Sequence, residues 1–411
     1  MKKYLLLFAF PVLLALMASC TSDDDGGRTD GELTPITPAN IQVQQTEFAQ
    51  QSNEFAGKLL EALSSLPENK DQNICVAPMS MQYMLSMLAN ATELDGRQKI
   101  LDALGIDNIE ELNAQNLALL NKLDQDKAYV EVGISNAMWL EKDFEMYKDS
   151  YKSLMEQYYK AGMYLTDFKN NSEAVKQQIN KWASDNTKKL ITNVPLNINK
   201  RTAFVVANAN YFDGKWANPF DPADTKSLPF YNIDNTQTNV MTMANTMNIK
   251  SFEDDSLQMA ELPYGQGYYS MIVVMPKYTE ALDSLAACGN WWAWHQQMTV
   301  RETSIKLPRF AATLNCDKML GVMNDLIMPE FDQYAFEGIH PFNDFWLTSM
   351  VHSTVINVDE NGTKAASVSA GEGICTSPGL PLSIAFDHPF IYAIRENTTG
   401  AILFMGKVLK L

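Results

Sequence analysis

Four histidines are the side chains best suited to proton transfer near neutral pH, and their spacing assembles no catalytic motif. His295, His340, His352 and His388 stand outside any His-Glu-x-x-His pair, any nucleophile elbow and any Cys–His signature, so the residue pattern supports no hydrolytic chemistry and no enzyme is expected. Cys20, Cys75, Cys288, Cys316 and Cys375 are widely spaced, without a Cys-x-x-Cys pair. They predict neither a zinc site nor a disulfide framework, and no metal or cofactor is called for. Cys75, within Asn73-Ile74-Cys75-Val76-Ala77, reads as a small buried hydrophobe, whereas Cys375 among Gly and Ser is a candidate exposed thiol. Gly265-x-Gly267 after Pro263-Tyr264 is too short for a phosphate loop and predicts a turn. Trp291-Trp292-x-Trp294 suggests carbohydrate stacking, but aromatic packing beneath a loop is the simpler reading.

A different kind of chemistry is written in residues 351–390. Val351-His352-Ser353-Thr354-Val355-Ile356-Asn357-Val358-Asp359 alternates as a strand, then runs through Glu360-Asn361-Gly362-Thr363 into a stretch almost free of large side chains, which predicts an exposed loop. Every second residue from Thr363 is small: Thr363, Ala365, Ser367, Ser369, Gly371 and Gly373. The intervening set holds Lys364, Val368 and Glu372. Because side chains alternate across a strand, the small set suits a crowded sheet interior while the charged set stays in water. A Gly/Ser-rich linker with accidental alternation is the competing reading.

The elements that must position this segment follow from periodicity. Phe48, Phe55, Leu59, Leu63 and Leu66 share one helical face ended by Pro67, and Met81, Met84, Leu85 and Leu88 mark a second helix. Further helices are expected near 96–104, 108–123, 147–160 and 172–190, after which strands dominate: 204–212, 271–275 ending at Pro276, 351–359, 390–394 and 402–408. No linker-like composition interrupts 45–411, so one large α+β domain is expected, helix-rich first and built on large mixed sheets later. At 46% apolar and 20% charged the chain has ample core, and its net charge of -17 argues against nucleic acid as a partner.

The first residues are targeting rather than fold. Lys2 and Lys3 precede an apolar run from Tyr4 to Ala18, which reads as a signal peptide over 1–19. Met17-Ala18-Ser19-Cys20 resembles the lipobox of bacterial lipoproteins, with Met17 in place of the usual Leu or Val, and this implies lipidation at Cys20. Residues 20–44 read as a flexible tether, and the acidic tract Ser22-Asp23-Asp24-Asp25 resembles a surface-export tag. An outer-membrane lipoprotein facing the cell surface is the expectation, with an ordinary cleaved signal as the alternative.

Glu360-x-Gly362-Thr363-x-Ala365-Ala366-Ser367 resembles the hinge of inhibitory serpins. Asn73-Ile74 with Pro78 and Ser80, residues 204–220, Glu261-Leu262-Pro263-Tyr264, Leu307-Pro308-Arg309-Phe310, Asp387-His388-Pro389-Phe390 and Phe404-Met405-Gly406 are similar to serpin motifs in order and spacing. The resemblance implies a serpin fold with a reactive-centre loop, and a monomeric suicide inhibitor that ends covalently attached to its target protease. It places Ser80, Asn208 and His352 in the shutter beneath the central sheet and Trp216 at the breach where the loop enters. Ala77 stands where a shutter Ser is usual. Asn208 and Asn210 need hydrogen-bond partners if buried, and a neutral histidine is the partner expected. Family spacing from Glu360 puts the scissile bond at Thr376-Ser377, with Ile374 and Cys375 as alternatives. Lys364 is followed by no Lys or Arg before Arg395, so an elastase-like serine protease is the expected target and a papain-like cysteine protease the alternative. A non-inhibitory binding protein of the same fold, or a surface hydrolase, are the competing functions.

Overall fold

The computed structural model describes residues 35–143, 148–288, 290–333, 335–339, 347, 350–363 and 381–411. Helices dominate its first half: α1 (Glu47–Ser64), α2 (Pro78–Ala89), α3 (Leu94–Leu104), α4 (Ile109–Lys122), α5 (Asp149–Tyr159) and α6 (Phe168–Asn186). Shorter helices follow as α7 (Leu282–Cys288), α8 (Trp291–Gln297) and α9 (Met319–Val322). The strands are β1 (Ile74–Val76), β2 (Val130–Glu141), β3 (Gly162–Thr166), β4 (Phe204–Lys215), β5 (Lys226–Tyr231), β6 (Gln237–Glu253), β7 (Leu257–Tyr264), β8 (Tyr269–Pro276), β9 (Thr299–Pro308), β10 (Phe310–Cys316), β11 (His352–Asp359), β12 (Gly362–Thr363), β13 (Leu382–Ala385), β14 (Phe390–Glu396) and β15 (Ile402–Val408).

Local chemistry sets the helix ends. Thr46 caps α1 by accepting from the Ala49 N–H, Asn108 caps α4 by accepting from Glu111, and Asp167 caps α6 by accepting from Asn170. Gly105 ends α3 in the left-handed region at φ 69°. α1 buries Phe48, Phe55, Leu59 and Leu63, the face expected from their spacing, and each such side chain contributes about 1.5–3 kcal/mol. α2 is buried on every side, with Pro78 in its first turn, and runs through the core.

Two sheets enclose that core. One has the order β1-β15-β14-β8-β7-β6-β9-β13, with β5 paired to β6. Its strands β8, β14 and β15 are buried along their whole length, which is why 271–275, 390–394 and 402–408 read as continuous apolar runs. The other sheet has the order β10-β11-β12-β4-β2-β3. α6 lies across its outer face, where Phe168, Val175, Ile179 and Ala183 pack on Trp139 and Val205.

Several expectations need correction. Strands do not wait for the second half: β1, β2 and β3 fall among the helices, and β2 pairs along eleven residues with β4. β2 hides because it is half-exposed at Gly133–Ser135 and wholly buried from Asn136 onward, so it has neither clean alternation nor a uniform apolar run. Gly133 leaves the space that the Tyr211 ring of β4 fills. Residues 35–44, the described part of the expected tether, do not behave as free chain. The N–H groups of Ile36, Ala39, Gln44 and Thr46 donate to the carbonyls of Ala217, Gln266, Asn397 and Thr399, which lays this segment along the body. The tryptophan cluster lies on a helix and packs as aromatics, with Trp291 and Trp294 buried and edge to face at 5.1 Å within α8. Gly265 and Gly267 do form the turn between β7 and β8, at φ 51° and 94°. Cys75 is fully buried, and burial pushes its thiol up to about 12.

Candidate functional site

β11 ends at Asp359, and the chain then reverses. The Asn361 N–H donates to the Asp359 carboxylate at 2.9 Å, and Gly362 adopts φ 151°. Only glycine suits Gly362, since a Cβ there would lie 1.9 Å from the Gly214 carbonyl oxygen. The reversal delivers β12, antiparallel to both neighbours: Gly362 sits opposite Asp359 and Lys215, and Thr363 opposite Val358 and Gly214. β4 and β11 therefore run parallel with a two-residue strand between them, and among the described residues the sheet order joins them through β12. Thr363 is 2% exposed, so the first of the small alternating residues is already inside the sheet.

The residues leading into β12 are held firmly. Glu360 is buried, and Arg309 grips its carboxylate while the Thr225 hydroxyl donates to it at 2.6 Å. Burial alone would raise the Glu360 pKa, but the hydrogen bonds from Arg309 and Thr225 outweigh it and hold the carboxyl below its ordinary value. The Trp216 indole donates to the Asp359 carbonyl at 2.8 Å, its backbone N–H donates to Asn361, and the Phe220 N–H donates to Glu360. Trp216 also stacks on Tyr264 at 4.3 Å, and the Tyr264 hydroxyl lies 2.6 Å from Thr363 Oγ1.

At the opposite end of β11 a second polar group is buried. His352 is 2% exposed, and its Nε2 accepts from the Ala77 N–H at 3.2 Å, so the ring proton sits on Nδ1. Burial drives the His352 pKa down to about 4 and keeps the ring neutral. The expected pairing of this histidine with the asparagines is not the one formed. Asn208 donates to Asn136 Oδ1 at 2.6 Å, and Asn136 donates to the Tyr159 carbonyl at 2.9 Å. Asn210, with its amide turned to satisfy its neighbours, donates to Asn208 Oδ1 at 2.6 Å and accepts from the Ser80 N–H at 3.3 Å. Ala77 thus contributes its backbone N–H to the His352 ring. Thr354 next along β11 donates to the Cys75 carbonyl. A narrow cleft of about 30 Å³ lies between β4 and the start of β11, lined by Ala207, Asn208, Val351 and His352.

Of the residues singled out from sequence, Glu360, Gly362, Thr363 and Trp216 come together at one end of the β4–β11 seam. Ser80, Asn208 and His352 come together at the other. Cys20, Ala365, Ala366, Ser367, Ile374, Cys375, Thr376 and Ser377 lie outside the described residues. β12 belongs to one sheet and β13, which begins at Leu382 and pairs in parallel with β9, to the other, so residues 364–381 connect the two. Arg309, Thr225, Tyr264 and Asn136 carry no local sequence signal for these roles, because their partners lie far away along the chain. Among the described residues no group of three His, Cys, Asp or Glu side chains converges as a metal site.

A two-residue strand seated between two parallel neighbours, at the end of a long buried strand, is the arrangement that the comparisons with known proteins explain. The model of the serpin family, described as serine protease inhibitor, matches residues 50–411, and the chain belongs to that family. A serine protease inhibitor of Cyanea capillata is 29% identical over 82% of this chain and 92% of its own length. Serpin-Z2B of Triticum aestivum is 30% identical over 86% of this chain and 94% of its own. The solved structure of the thermophilic serpin tengpin in its native state shares the fold at a TM-score of 0.79, with 22% identity over 92% of this chain and 97% of that one. Serpins are protease inhibitors in general, rather than catalysts.

Proposed function

We propose that the chain is a suicide-substrate inhibitor of proteases. The observation that carries this reading is the position of β12: Gly362 and Thr363 already pair with β4 and β11, and the small alternating residues continue from them. A protease attacks the following segment as substrate and forms an acyl-enzyme at Thr376, releasing Ser377 as a new amino terminus. The freed segment then extends β12 between β4 and β11 and carries the attached protease with it. Fourteen residues at about 3.3 Å each span about 46 Å, enough to drag a protease across the domain and distort its site. Each molecule acts once, and the uncleaved form is held kinetically.

The target is an elastase-like serine protease, because residues 374–376 are Ile, Cys and Thr and the stretch offers no basic or aromatic side chain nearby. Lipidation at Cys20 holds the inhibitor on an outer membrane, facing outward. The test is incubation with serine and cysteine proteases of different specificity, followed by denaturing electrophoresis and mass spectrometry. A complex stable to SDS and a released peptide beginning at Ser377 are expected. Cleavage without any complex would select the non-inhibitory alternative. Preferential trapping of a trypsin-like or papain-like enzyme would overturn the target class, and a peptide starting upstream of Cys375 or downstream of Pro378 would overturn the bond.

A further inference from the structure

A two-residue strand has too short a ladder to specify its own register, and something else must hold β12 in place. The Thr363 hydroxyl is buried and needs a partner, which it finds in the Tyr264 hydroxyl at 2.6 Å. Tyr264 is itself fully buried, and burial pushes its phenol far above the ordinary value, so the hydroxyl stays neutral and able to donate or accept. Its ring is held from several sides. Trp216 stacks on it with the planes 12° apart, Phe212 meets it at 4.9 Å, and a side chain at Gly214 would press against it.

We propose that Tyr264 is the positioning residue that sets the register of the inserting strand, a role that rests on the inhibitory reading above. A slip of one residue would turn Thr363, Ala365 and Ser367 outward and send Lys364 into the core. The N–H and C=O groups of two residues pair equally well in both registers, so the ladder leaves the choice to Gly362, whose place against the Gly214 carbonyl admits no Cβ, and to the side chain of Thr363. A hydroxyl fixed on a rigid ring does distinguish them, because only one register brings a threonine oxygen to it. Insertion that starts from this register places every small residue inward, whereas a free hinge loses time in unproductive pairings. Lost time matters because the acyl-enzyme hydrolyses while it waits, and the inhibitor is then consumed as substrate.

Tyr264→Phe, Thr363→Val, the double variant and Thr363→Ser separate register from stability. Hydrogen exchange of the peptide covering 358–363 in the uncleaved protein reads the latch directly. Tyr264→Phe should raise exchange there about tenfold while leaving β8 and β15 unchanged. With a protease that the wild type traps, the same variant should raise the stoichiometry of inhibition several-fold without slowing the initial attack. Thr363→Ser should behave as wild type. The double variant leaves no buried hydroxyl unpaired, so it should regain thermal stability yet keep the raised stoichiometry. Unchanged exchange at 358–363 in Tyr264→Phe would overturn the latch. Raised exchange with unchanged stoichiometry would overturn its part in insertion. Raised exchange in a protein whose wild type traps no protease would uphold the latch while the inhibitory reading fails.

Discussion

Arg309 clasps Glu360: its Nε donates to both carboxylate oxygens at 2.8 and 2.9 Å, and a terminal guanidinium nitrogen reaches one of them at 2.6 Å. Arg309 stands between the last residue of β9 and the first of β10, so the pair ties the turn before β12 to the junction of two strands. Arg309→Gln would leave a buried carboxylate with the Thr225 hydroxyl as its remaining side-chain donor. Because the Arg309 side chain is 44% exposed, solvent tempers the loss, and a destabilisation of about 1–3 kcal/mol is expected. The shift of the urea midpoint measures it; a midpoint equal to wild type would show that the pair carries no stability.

Gly362→Ala should be more damaging than its single methyl suggests. The new Cβ would collide with the Gly214 carbonyl, so either the β12 backbone leaves the sheet or β4 moves. A cost of about 2 kcal/mol or more follows, together with loss of exchange protection at 358–363. Wild-type melting temperature in this variant would mean that the turn tolerates a side chain after all.

His352 makes stability depend on pH. Its pKa is about 4 in the folded protein against 6.5 ordinarily, so between these values the unfolded chain binds more protons than the folded one. Stability therefore rises with pH through this window, and acidification from 7 to 4 costs up to about 3 kcal/mol from this group. His352→Gln should be less stable than wild type at pH 7, and the difference should shrink towards pH 4.5. Parallel denaturation midpoints for the two proteins across that range would refute the assignment.

Thr363→Arg places a guanidinium where the wild type has 2% exposure, before any protease has acted. The variant should be cut without forming a stable complex, and its uncleaved form should already lose protection at β12. An unchanged stoichiometry of inhibition would contradict strand insertion as the mechanism.

Cys20→Ala should release the protein from the membrane fraction, since the proposed anchor is the acyl chains on that thiol. Equal retention of variant and wild type on fractionation would remove the lipoprotein proposal.

Elements whose signals are local could be read from residue order. The apolar face of α1 was legible because burial on one side of a helix writes a 3.6-residue period, and β11 because burial on one side of a strand writes a period of two. The runs in β8, β14 and β15 were legible because strands covered on both faces are apolar throughout. Glu360, Gly362 and Thr363 stood out because a turn and a crowded sheet restrict residue type within a few positions. The partners follow from the folded arrangement. Arg309 lies 51 residues from Glu360, and Tyr264 lies 99 from Thr363. His352 takes a backbone N–H 275 residues away in preference to the asparagines of β4. No periodicity encodes such pairings, because a buried polar group requires only some partner within about 3 Å, and which one it meets depends on how separate strands are brought together. That Thr363 is already within the sheet was hidden for the same reason: its neighbours Val358 and Gly214 belong to two strands, and only the folded chain sets them on either side of it.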